Sequence, residues 1–88
     1  MELYMVAQQQ LIPLSICVLT VSDTRTTEND TSGQALVDAL TAAGHQLYAR
    51  ELVKDDIYAI RAVTSAWIAD TSAQVILMTG GTGFAGRD

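Results

Sequence analysis

Leu14-Ser15-Ile16-Cys17-Val18-Leu19-Thr20-Val21 is a short run, nearly continuous in apolar and β-branched side chains, that stops at Ser22-Asp23. A strand with one wet face alternates polar and apolar residues. One that does not alternate must be covered on both faces, as strands are in a parallel sheet between helices. Pro13 stands at the start of the run, where a missing N–H does least harm. A second run of the same kind, Gln74-Val75-Ile76-Leu77-Met78-Thr79, lies far along the chain and leads straight into Gly80-Gly81-Thr82-Gly83.

The intervening sequence supplies what these two strands need. Ser22 to Asp30 is polar and rich in Thr and Asp, so it is a loop, and Asp30-Thr31-Ser32 offers helix caps. Leu36, Leu40 and Ala43 then recur at spacings of four and three, which predicts a helix over about 32–43 ended by Gly44 at the C′ position. Gln46 to Val53 reads as a strand of mixed polarity, carrying Arg50 and Glu51, and therefore nearer an edge. Asp55-Asp56 caps a second helix whose stripe is Ile60, Val63 and Trp67, supported by Ile57 and Ile68. Trp67 is read as core and His45 as an exposed turn residue. Residues 1–12 read as a flexible arm or an extra edge segment.

The order strand–helix–strand–helix–strand implies crossover helices and parallel pairing. The fold class is therefore α/β, a βαβαβ parallel sheet with helices on both faces. Placing the two most apolar strands inside gives the spatial order 2-1-3. Right-handed crossovers that move in opposite directions put the two helices on opposite faces. They also open a crevice at the carboxyl ends of the first and third strands, where open α/β sheets bind ligands.

The chain has 88 residues, room for a single domain, with 49% hydrophobic and 17% charged residues. That composition argues against disorder. The net charge is −5 and the five basic residues are scattered, which argues against binding nucleic acid through its phosphates. A lone Cys17 inside an apolar run reads as a small buried hydrophobe in a reducing, cytoplasmic compartment. The stretch from Leu11 to Val21 is too short and too interrupted to span a membrane, and its flanks do not suit a secretory signal.

Two loops converge at the crevice. Thr20-Val21-Ser22-Asp23 leaves the first strand, and Thr79-Gly80-Gly81-Thr82-Gly83 leaves the third. Glycines let backbone N–H groups turn inward and let an anion approach closely, and Thr79 and Thr82 add hydroxyl donors. The pair reads as a phosphate cradle. Asp23 and Asp88 are carboxylates that could hold Mg²⁺ beside it, and Arg87 could neutralise an oxyanion. For Asp23 alone, a loop carboxylate or turn former is the plainer reading. Other anion sites fit less well. No Gly-rich fingerprint follows the first strand, as a dinucleotide fold requires. In the P-loop spacing, Arg87 and Asp88 stand where Lys and Ser/Thr are needed. A phospho-acceptor Asp is absent from the end of the third strand.

Taken in order, Thr20-Val21-Ser22-Asp23, Asp30-Thr31-Ser32-Gly33, and Thr79-Gly80-Gly81-Thr82-Gly83 followed by Arg87-Asp88 resemble the MoaB/MogA family of molybdenum cofactor biosynthesis proteins. The stretch from Val53 to Ala69 is more similar to the MoaB branch. The resemblance covers nearly everything from Ser15 to Asp88. It implies half of a MogA-like three-layer domain that binds molybdopterin and, in the MogA-like branch, adenylylates its phosphate with Mg²⁺ and ATP. By the same resemblance Gly80, Gly81, Thr82 and Gly83 cradle phosphate, with Thr20, Ser22, Asp23, Ser32, Gly33, Thr79 and Arg87 lining the pocket. Asp88 matches the essential acidic position and is the expected catalytic and metal-binding residue. A pterin-binding, oligomeric scaffold without turnover is the alternative for the MoaB branch. Trimers or hexamers are the implied assemblies. Family members run to about twice this length, so the 88 residues read as a truncated, inactive fragment. An uncovered edge on the third strand would invite a second copy or the missing carboxyl-terminal half.

Overall fold

The computed structural model describes residues 12–80. Five elements follow one another: β1 (Ser15–Val21), α1 (Thr31–Ala42), β2 (Gln46–Val53), α2 (Ile57–Ala69) and β3 (Val75–Gly80). All pairing is parallel and the strand order is β2-β1-β3, the arrangement expected from the apolar content of the strands. Residues 1–11, nearly all of the expected arm, and residues 81–88 lie outside the described residues.

β1 is the centre of the molecule. Its side chains alternate between two cores, although both sets are apolar. Cys17, Leu19 and Val21 face one way, packing with Trp67, Ile60 and Val63 of α2. Ile16 and Val18 face the other way, packing with Leu36, Val37 and Leu40 of α1. The helices therefore lie on opposite faces, as two opposed right-handed crossovers demand. Burying a Leu or Val side chain completely is worth about 1.5–3 kcal/mol. Cys17, Val18 and Leu19 are wholly buried, so this one strand anchors both layers.

Local signals set the helix ends. Asp30 caps α1 by accepting from the Gly33 amide, and Asp56 caps α2 by accepting from the Tyr58 amide. At the far end of α1, Gly44 adopts φ +92°. The His45 N–H reaches the Leu40 carbonyl at 2.9 Å and the Gly44 N–H the Thr41 carbonyl at 3.0 Å. That pair of bonds is the Schellman closure that a C′ glycine permits.

Some expectations need correction. Ala43 is the exposed C-cap of α1, and Val37 takes its place in the apolar stripe. Ile57 and Ile68 were expected to support the α2 stripe but are 61% and 77% exposed. At 100° per residue they lie roughly a quarter turn round from Trp67, off the buried face. His45 is not an exposed turn residue: it is half-buried, and its Nδ1 accepts the Leu14 N–H at 3.0 Å. β3, as apolar in sequence as β1, is only half-buried, with Met78 53% exposed. Among the described residues it pairs on one side alone.

β2 contains a bulge. The register passes from Ile16–Leu47 to Cys17–Ala49, so Tyr48 has no partner on β1. Its hydroxyl instead donates to Asp70 Oδ2 at 2.6 Å. That bond holds the Asp70 carboxyl below its ordinary range and pushes the tyrosine up. Burial, then the nearby Asp70 charge, pushes the Cys17 thiol up as well, in keeping with a structural cysteine. No helix among the described residues is long and apolar enough to cross a membrane.

Candidate functional site

The carboxyl ends of β1 and β3 lie side by side. Thr20 pairs with Thr79 and Val21 with Gly80 in the parallel ladder. Gly80 has φ +100°, and a Cβ there would collide with the Val21 carbonyl. Only glycine lets β3 leave the sheet this close to β1. The chain then runs on to Gly81, Thr82 and Gly83, which with Arg87 and Asp88 lie outside the described residues.

The first turn of α1 lies against the same end of β1. It is tied to β1 and β2 through one carboxylate. Asp30 is 4% exposed, and its Oδ2 accepts the Thr20 hydroxyl at 2.6 Å. Its Oδ1 accepts the Gly33 amide at 2.9 Å. Arg50, reaching from β2, brings Nη2 to within 3.3 Å of both Asp30 Oδ2 and the Asp30 carbonyl. The other nitrogen, Nη1, donates to Gln34 Oε1 at 2.9 Å. Gly33 is required by closeness: a Cβ there would meet Asp30 Oδ2 and Thr20 Oγ1. Burial alone raises the Asp30 pKa, but Thr20, the Gly33 amide and Arg50 together outweigh it and hold the carboxyl below its ordinary range.

The residues named from sequence are thus not equivalent. Thr20 and the Gly33 amide already have a partner in Asp30. Ser22 Oγ accepts the Thr24 and Arg25 amides, forming a turn at the mouth of the loop. Asp23 swings toward β2: its Oδ1 accepts the Asp55 N–H at 3.0 Å, and its carbonyl accepts Lys54 Nζ at 3.4 Å. Of the others, Ser32 and Thr79 are half-buried and Gly80 is exposed. Arg25 stands at the same end, donating from Nη1 to Thr31 Oγ1 at 2.7 Å.

Sequence reasoning missed Arg50 and Gln34, and took Asp30 and Asp55 only as caps. A charged residue inside a β-strand beside apolar neighbours was the available signal for Arg50. Nothing local marked its partner, which is 20 residues away. Among the described residues no three His, Cys, Asp or Glu side chains come together in a way that could hold a metal ion.

The sequence and the fold both match known proteins. A family model described as "Probable molybdopterin binding domain" matches residues 17–88. "Molybdenum cofactor biosynthesis protein B" of Escherichia coli (strain K12) is 49% identical over 79 residues, covering 90% of this chain and 46% of that protein. The Bacillus subtilis (strain 168) protein of the same name is 45% identical over 71 residues, covering 81% of this chain and 42% of that one. A solved "Crystal structure of Molybdenum cofactor biosynthesis protein B" superposes with a TM-score of 0.78 at 38% identity, over 83% of this chain and 45% of that one. The chain spans about half the length of the relatives it matches.

Proposed function

The chain belongs to the probable molybdopterin binding domain family, and we propose that it forms half of a domain that binds molybdopterin through its terminal phosphate during molybdenum cofactor biosynthesis. The observation that carries this is the adjacency of the β1 and β3 ends, Val21 beside Gly80, where Gly80 has φ +100°. Successive backbone N–H groups in a glycine-rich turn can form a concave anion site. Ser32, Thr79 and Arg25 supply further donors at the same end of the sheet. A site made from glycines and hydroxyls suits a protein of net charge −5, which has few cations to spare.

In the finer reading the complete protein adenylylates that phosphate with Mg²⁺ and ATP. Asp88 is then the acidic residue at the ion and Arg87 a cation on the phosphates. Among the described residues no three His, Cys, Asp or Glu side chains cluster to hold the ion. Asp88 would hold the ion, which would supply electrostatic stabilisation of the phosphate charge. What the described residues do is hold and orient the phosphate.

A second reading is a pterin-holding module without turnover that assembles as a trimer or hexamer in the cytoplasm. The half-buried β3, free along one edge among the described residues, favours it for the 88-residue chain by itself. Such an edge needs a partner strand or a second copy.

Anaerobic titration of the chain with molybdopterin, followed by addition of Mg²⁺-ATP, separates these readings. Saturable binding supports the site, and release of pyrophosphate supports adenylylation. Binding without pyrophosphate assigns the module role. A titration with no saturable signal, repeated on a protein carrying the missing half, rejects both.

A further inference from the structure

Helix α1 begins with a buried carboxylate. That is an odd choice beside an anion site, because a charged Asp at the N-cap uses up the positive end of the helix and repels a second anion. The structure resolves the conflict. Arg50 crosses from β2 and places Nη2 at 3.3 Å from Asp30 Oδ2, cancelling the charge where it is buried. The same guanidinium holds the Asp30 carbonyl and Gln34 Oε1, so it grips the helix start at the cap residue and one turn on.

We propose that Asp30 and Arg50 are positioning residues: they lock the first turn of α1 against the end of β1 and remove the cap's charge, so that Ser32 and the helix start can face an anionic ligand. The ligand half of this proposal rests on the functional reading above. The positioning half rests only on geometry. Thr20, wholly buried, donates a hydrogen bond from its hydroxyl to Asp30 Oδ2 at 2.6 Å. The Gly33 amide donates to the other oxygen at 2.9 Å. Each Asp30 oxygen is therefore engaged, and Thr20 and Gly33 act as supports of the turn rather than as groups that touch the ligand.

Neutralising a charge and bracing a fold leave different marks on two variants. Arg50→Gln keeps a polar side chain but removes the cation and the two-pronged grip. Arg50→Lys keeps the cation but presents a single ammonium, which cannot reproduce a planar fork. If Arg50 both neutralises and positions, Lys restores part of the ligand affinity and less of the geometry. If Arg50 only braced the fold, affinity would track stability in both variants.

The experiment is an amide ¹H–¹⁵N spectrum of the 88-residue chain and its Arg50→Gln, Arg50→Lys and Gln34→Ala variants, with a molybdopterin titration of each. In Arg50→Gln the Gly33 and Ser32 amides are expected to move while Tyr58 to Arg61, in the first turn of α2, stay in place. Pterin affinity is expected to fall about ten-fold and to recover partly in Arg50→Lys. An unmoved Gly33 amide in Arg50→Gln, or wild-type affinity in that variant, overturns the proposal. A wild-type chain that binds no pterin sinks the functional reading alone, and the Gly33 amide still decides the positioning. Should Arg50→Gln fail to fold, Gln34→Ala removes one prong only. It is expected to shift Gly33 by less and in the same direction, and an unchanged Gly33 there overturns the proposal.

Discussion

The two helices begin alike in sequence and unlike in structure. Each has an aspartate at its N-cap, Asp30 for α1 and Asp56 for α2. Asp30 is buried and joins β1, β2 and α1 through Thr20, Arg50 and Gly33. Asp56 is exposed, and the bond its side chain makes to the Tyr58 amide stays within its own turn. The same residue type thus closes a helix locally in one place and fastens three elements together in the other. The fastened end is the one held against the carboxyl end of β1.

Replacing each cap by alanine tests that contrast most directly. Asp30→Ala strands the Arg50 cation and the Thr20 hydroxyl, and should lower stability by about 3 kcal/mol, the lower end for a broken buried pair because Arg50 keeps some solvent. Asp56→Ala should cost about 1 kcal/mol, an ordinary cap loss. Urea unfolding followed by Trp67 fluorescence measures both, and equal losses would erase the distinction. Gly33→Ala comes next, at about 2 kcal/mol, because the new Cβ has to displace Asp30 and Thr20 side chains in a closed site.

Acid sharpens the comparison further. The Asp30 carboxyl is held below the ordinary aspartate range, so it stabilises the fold at pH values above that range and the contribution is lost as pH falls through the lower folded value. Asp70, held down by Tyr48, titrates in the same direction, so the measurement is a difference. Stability of the wild type should fall below about pH 4 more steeply than that of Asp30→Asn. Parallel curves would deny Asp30 its special role. The smallest expected effect is Ile68→Ser on the exposed side of α2, within about 0.5 kcal/mol. A larger loss would mean that this face is covered in solution.

Much of the fold could be read in the chain because its signals are local. The unbroken apolar run of β1, the cap at Asp30, the stop at Gly44 and the polar character of β2 each depend on neighbours a few residues away. Sheet order followed from comparing the apolar content of three strands. The site was legible only in outline. Ser22, Asp23, Thr79 and Gly80 are where the topology requires, at the carboxyl ends of the strands. Their individual roles were not legible, because hydrogen-bond partners such as Asp55 for Asp23 lie 32 residues away.

Sequence by itself determined which segments are strands and helices, their order in the sheet and the end at which a ligand site can form. Backbone propensity, capping and burial of apolar runs act over a few residues and leave their mark in the text of the chain. Tertiary structure decided which of two equivalent aspartates is buried, that Arg50 neutralises it, that Asp23 turns toward β2, and that Ile57 and Ile68 stay outside. Those outcomes depend on distances across the fold and on rotation about a helix axis, which exist only once the elements have packed.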